Sequence, residues 1–128
     1  MKFYHQSLFF QTGEGPQFMD ITDKVKQIFK KSKIKNGSVL VYSKHTTAAV
    51  RINENEPLLI SDIKKVLAKI ASHENSYEHN DFKKRTVNMC SGECANGHAH
   101  CQHLFLGTSE TIPVIDGKMI FGLWQRIF

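Results

Sequence analysis

Seven histidines fall within 128 residues, and three of them, His98, His100 and His103, crowd the stretch NGHAHCQH. Imidazole is the commonest protein metal ligand and the side chain that ordinarily titrates near neutral pH. His45 in KHTTAAV and His79 in YEHN stand far away in sequence, each in a polar setting. Histidines from separate segments imply one site assembled by folding. A strand over residues 98–106 would set His98, His100 and Gln102 on one face, with Cys101 and His103 on the other. Imidazoles of that strand, joined by His45 and His79, would make the open type of zinc centre, with a position left for water or a substrate oxygen. Each histidine alone reads more simply as a surface or hydrogen-bonding residue. As a constellation they favour a divalent metal, and zinc over magnesium, because magnesium prefers oxygen ligands.

The cysteines offer a competing site. Cys90, Cys94 and Cys101 cannot all pair within one chain, which argues for reduced thiols. Cys90-x3-Cys94-x3-His98 could close around a structural zinc, but the spacing matches neither the two-residue cysteine knuckle nor the zinc-finger pattern. Cys90, Cys94 and His98 therefore rank behind the other ligand candidates. In HTTAAVRINENEP, Asn53 and Glu54 precede a helix start, where a carboxamide and a carboxylate could act on a ligand or on bound water. These two are the catalytic candidates, whereas Asn55 is better read as a helix cap. Trp124 is most simply core packing. No glycine-rich phosphate loop occurs, and Ser109 lacks the flanking glycines of a nucleophile elbow.

Composition bounds the remaining choices. Hydrophobic content of 41% and charged content of 23% are globular values, and residues 1–128 fit one domain. No apolar run approaches the roughly 20 residues needed to span a bilayer. The opening apolar patch is too short for a secretory core, so no membrane partner is expected and a cytoplasmic location is. A net charge of +5 suits phosphorylated small molecules. The lysine clusters at Lys26–Lys35 and Lys83–Arg85 read as solvated faces. Without interleaved aromatics to stack bases, they do not make nucleic acid an expected partner.

The elements that must position these residues follow from periodicity and punctuation. Phe3–Phe10 is aromatic-rich like a first strand, Gly13–Pro16 is a turn, and Phe18–Ile21 is a short second strand. Ile21, Val25, Ile28 and Phe29 recur at helical spacing after a cap at Asp20 or Thr22, and Asn36–Gly37 ends that helix. Strands follow at Ser38–Ser43 and Thr46–Asn53, with His45 at their junction. Asn55 and Pro57 open a second helix whose Leu59, Ile63, Val66, Leu67 and Ile70 form an apolar stripe. Residues 72–97 read as a long loop, a length that is often functional. Strands resume at His98–Leu106, Thr111–Val114 and Met119–Phe128, the last two joined by an Asp116–Gly117 hairpin turn. The sum is about seven short strands and two helices, an α+β order.

The blocks HTTAAVRINENEP, AHCQHLFLGTSETIPV and DGKMIFGLWQRIF, in this order, resemble the YjbQ-like proteins, a family sometimes labelled secondary thiamine-phosphate synthase. The resemblance implies an α+β fold with a β-sandwich of about seven strands and two helices. It also implies a homotrimer joined through its sheets, and a histidine cluster that holds a metal. Carried over by position, the metal ligands are His45, His79 within Tyr77–Glu78–His79, and His100. Asn53, Glu54 and Asn55 match the family's NEN block. The implied reaction joins an aminopyrimidine diphosphate to a thiazole phosphate, the cation stabilising charge on the departing diphosphate. Two other functions compete: a non-catalytic trimeric metal- or ligand-binding protein, and a zinc-stabilised nucleic-acid binder. Leu123 stands where the family usually has threonine in Gly-Thr-Trp-Gln, which removes a hydroxyl from the implied pocket. Relatives usually run past the position of Phe128 into a charged tail, and several lack the Cys90–Cys94 insertion.

Overall fold

Asp20 organises the start of the first helix. Its Oδ1 accepts the Thr22 N–H at 3.0 Å and the Thr22 hydroxyl at 2.6 Å, satisfying a donor that a first helical turn leaves free. In the computed structural model, which describes residues 2–128, helix α1 spans Thr22–Ser32. Lys33, at φ 54°, ends it in the left-handed region, earlier than the expected stop at Asn36–Gly37. Strand β1 (Gly37–Tyr42) follows, then β2 (Ile52–Glu54). Helix α2 (Pro57–Ile70) begins on Glu56, whose carboxylate accepts the Leu58 and Leu59 N–H groups at 2.8 and 2.7 Å. Asn55, expected as that cap, instead donates to Asp20 Oδ2 at 3.0 Å.

Residues 72–97 hold a single 3₁₀ turn at Glu78–Asn80. Helix α3 (Gly97–Leu106) comes next, then β3 (Ser109–Ile115), β4 (Lys118–Met119) and β5 (Gln125–Ile127). β3 pairs with both β1 and β4 in a three-stranded antiparallel sheet, and β2 pairs with β5 in a separate antiparallel ribbon. The expected hairpin is present: Ile115 faces Lys118 across Asp116 at φ 49° and Gly117 at φ 75°, the left-handed pair that a two-residue turn requires.

A seven-strand sandwich with two helices is corrected by these elements. Among the described residues the chain forms five strands in two sheets, and three α-helices. Phe3–Phe10 and Phe18–Ile21 form no ladder among the described residues, and the second segment reaches β5 through the Ile21 N–H to the Ile127 carbonyl at 2.8 Å. Residues 98–106 are helical. Met119–Phe128 breaks at a turn, because Gln125 Oε1 accepts the Gly122 N–H at 2.7 Å and sends β5 to β2 rather than onward from β4. The chain is a mixed α+β fold built on antiparallel sheets.

The core lies where α1 crosses both sheets. Ile21 and Val25 meet Val50, Ile112 of β3 and Ile127 of β5, with Val39, Val41 and Met119 packed against them. Thr22, fully buried, donates through its hydroxyl to Asp20 and accepts the Ile127 N–H at 2.8 Å. Arg126 Nε adds an ion pair to Asp20 at 2.7 Å. Burial opposes ionisation of Asp20, but the hydrogen bonds from Arg126 and Thr22 outweigh it and hold its carboxyl below the ordinary value. Among the described residues no helix is long and apolar enough to cross a membrane.

Candidate functional site

The helical state of residues 97–106 decides which histidines meet. On a helix, residues three and four apart share a face, so His98 lies with Gln102 and His100 with His103. Gln102 is buried and donates to the Ala71 carbonyl at 2.8 Å and the Leu67 carbonyl at 3.4 Å. It thereby satisfies the last carbonyls of α2 and fixes the rotation of α3. Gly97 permits the close approach of the helix start: its N–H donates to Asn80 Oδ1 at 2.9 Å. A β-carbon there would sit 2.7 Å from Tyr77 Cβ, inside any normal contact. With that face clamped, His98 is set against His73 (ring centroids 4.7 Å apart) and His100 against His79 (4.6 Å), both edge to face.

Behind the second pair stands Arg85. Its Nη1 donates to His79 Nε2 at 2.8 Å and to the His79 carbonyl at 3.2 Å. Its Nη2 donates to the Asn88 carbonyl at 3.0 Å and to Glu93 Oε2. Because an arginine can only donate, the contact makes Nε2 of His79 an acceptor and leaves its ring proton on Nδ1. Hydrogen bonding from Arg85, then from the Cys90 N–H, holds the Glu93 carboxyl below its ordinary value. Burial, with the positive charge of Arg85, holds His100 below the usual imidazole value. Burial and His73 do the same to His98. The surroundings of His100 therefore favour its neutral form, beside a second ring that accepts from Arg85.

Depressed imidazoles carry a pH signature. The unfolded chain binds protons at these positions as pH falls through about 6.5, whereas the folded chain resists until lower pH, so stability declines through that window. The denaturant midpoint should be lower at pH 5.5 than at pH 7.5, and replacing His98 and His100 together with glutamine should flatten the difference. Equal slopes in the wild type and the double variant would refute the assignment.

The expected metal centre is corrected. The structure brings His79 and His100 together, but His45 sits exposed after β1, its N–H donating to Ser43 Oγ at 3.3 Å, outside the pair. His98 is turned to His73 by the helical periodicity, away from the His100 face. Cys90 and Cys94 are free and exposed, as is Cys101. Among the described residues no group of three or more His, Cys, Asp or Glu side chains is placed to hold a metal ion, whether zinc or magnesium. Asn53 and Glu54 line a separate groove with Gly122, Leu123 and Trp124, and the threonine-to-leucine departure falls on its wall. Trp124, read as core, is exposed there.

Arg85 and Glu93 escaped the sequence reading because one sits in a lysine cluster and the other between cysteines. No spacing rule links two loop residues. The helix α3 did carry a signal: Asn96 precedes it and Gly107 follows it, a recognised start and stop.

A model of the family described as UPF0047 protein YjbQ-like matches residues 6–128. The chain is 38% identical to a UPF0047 protein of Methanothermobacter thermautotrophicus over 100% of its own length and 82% of the relative's. Its fold is similar to that of a YbjQ-like protein of unknown function from Sulfolobus solfataricus P2, with a TM-score of 0.74 and 39% identity, covering 86% of this chain and 72% of the other. It is also similar to an uncharacterised YjbQ/UPF0047 protein from Clostridium acetobutylicum, with a TM-score of 0.77 and 32% identity, covering 92% and 82%. None of these three is described by an activity. The expectation of a metal-dependent thiamine-phosphate synthase is thus overturned on both counts.

Proposed function

The chain belongs to the UPF0047 protein YjbQ-like family, and from that premise we propose that its His79–His100 pair is an acid–base site for a phosphorylated small molecule, in a chain that works as a homotrimer. The observation that carries the site is the edge contact of two imidazoles at 4.6 Å, one held neutral and the other locked by Arg85. A neutral imidazole accepts the proton of a hydroxyl or of a monoprotonated phosphate. Lys83 and Lys84, exposed on the turn before Arg85, together with the net charge of +5, draw an anion towards it. Glu93 does not repel such a ligand, since its charge is spent on Arg85.

Self-association rests on a different observation. The isolated chain exposes 9642 Å², whereas a folded monomer of its mass exposes roughly 6,900 Å². The excess is several times the roughly 800 Å² that each partner contributes to a standard interface. On the outer face of the three-stranded sheet, Leu40, Tyr42 and Ile115 are exposed apolar residues beside Thr111 and Pro113. A second copy of the chain is the occupant assigned to this apolar face, and three copies is the number the family resemblance implies.

The test is a titration with inorganic phosphate at fixed ionic strength, following the histidine ring resonances. Phosphate should shift His79 and His100 saturably and raise the titration midpoint of His100. His100→Ala should weaken binding about tenfold, the loss of one charged hydrogen bond, while His45→Ala should leave it unchanged. Shifts confined to lysines would overturn the reading. Sedimentation of the same sample should give three times 14.6 kDa, and a monomer would remove the trimer.

A further inference from the structure

The groove beside Trp124 shares no lining residue with the histidine pair. Its first feature is an acid without a partner. Glu54 ends β2 opposite Gln125, on the ladder face that carries Ile52 and the fully buried Ile127, so its side chain is half-buried rather than splayed into water. Neighbouring carboxylates are all engaged. Asp20 takes Arg126, Thr22 and Asn55, Asp23 takes Arg126, Glu56 caps α2, and Glu110 pairs with Arg51. Among the described residues Glu54 makes no ion pair, and outside the ladder it only donates its own N–H to Asn53 Oδ1 at 2.9 Å. That carboxylate is available to a cation from outside the chain.

The second feature is the ring that faces the same space. The turn from Gly122 to Gln125 is held by the Gln125 N–H to the Gly122 carbonyl at 3.1 Å and by the Gly122 N–H to Gln125 Oε1 at 2.7 Å. That rigid turn carries Leu123 and Trp124 outward, 85% and 65% exposed. With Asn53 and Glu54 they border an open groove of about 410 Å³. No free cation competes from β5, because Arg126 is committed to Asp20 and Asp23.

We propose that this groove binds a small organic ammonium ion, the Trp124 ring face taking the alkylated nitrogen and Glu54 supplying the counter-charge. An indole face attracts a cation through its quadrupole, more so where a carboxylate lies alongside. An anion would meet Glu54 unscreened, and a neutral polyol would leave that carboxylate uncompensated.

The chain has one tryptophan, so its emission reports on this groove alone. Choline chloride should change that emission saturably in the intact protein. Its uncharged isostere, dimethylbutanol, should act at least about tenfold more weakly, and Glu54→Gln should lower choline affinity by a similar factor. Calorimetry with Trp124→Ala should show the same loss, which keeps the test usable if the glutamine variant misfolds. Equal responses to choline and its isostere, or no saturable response, would overturn the proposal. So would failure of acrylamide to quench Trp124, which would place a second copy over the groove. A negative phosphate titration at His100 leaves this site untouched.

Discussion

Ile127→Ala should cost the fold about 3 kcal/mol, inside the roughly 2–5 kcal/mol seen for truncating buried aliphatic side chains. Ile127 is 0% exposed and touches the cluster that joins α1 to both sheets. Its backbone is pinned as well, the N–H to Thr22 Oγ1 and the carbonyl to the Ile21 N–H, each at 2.8 Å. The strand therefore cannot slide to refill the vacated volume, and the cavity persists. Ile127→Val, which removes one methylene, should cost about 1 kcal/mol. Urea midpoints measured at one protein concentration give the series, because association would otherwise shift them. Alanine no worse than valine would mean that the site collapses and that the pinning is illusory.

Arg85→Ala should loosen residues 78–93 as a unit, raising their amide exchange by about tenfold or more. A single guanidinium ties His79, Asn88 and Glu93 across a segment with little regular structure. The pair is mostly shielded, with side chains 10% and 16% exposed. Arg85→Lys should not rescue it, since one ammonium cannot reproduce the flat fork that serves four acceptors at once. The His79 ring should then sample both tautomers, visible in its nitrogen shifts. A lysine variant with wild-type exchange and a single tautomer would show that charge alone suffices.

Local chemistry made much of the chain readable. Proline at the start of α2, the apolar spacing of α1 and the Asp116–Gly117 turn act within a few residues, and each element stands within a turn of its expected place. What failed depended on partners. Phe3–Phe10 has strand composition but no paired strand among the described residues, and composition does not reveal a missing ladder. His98–Leu106 carries strand-like alternation, yet Gln102 reaching the end of α2 and Gly97 seating on Tyr77 favour a helix. That change of period redistributed the histidines and removed the metal geometry built on a strand. His79 and His100 were legible as isolated imidazoles from distant segments. Their partnership with Arg85 and Glu93 was not, because it is set by the path of a loop.

The fastening of α1 to β5 has a bearing on biosynthesis. Thr22 and Ile127 are 105 positions apart and Asp20 and Arg126 are 106 apart, so the helix made first waits for a strand made more than a hundred codons later. Contacts of such long sequence separation slow folding and leave early apolar surface bare on the nascent chain. Translation must carry residues 125–127 clear of the ribosomal tunnel before the core can close. Until then, Ile21 and Val25 are open to chaperones.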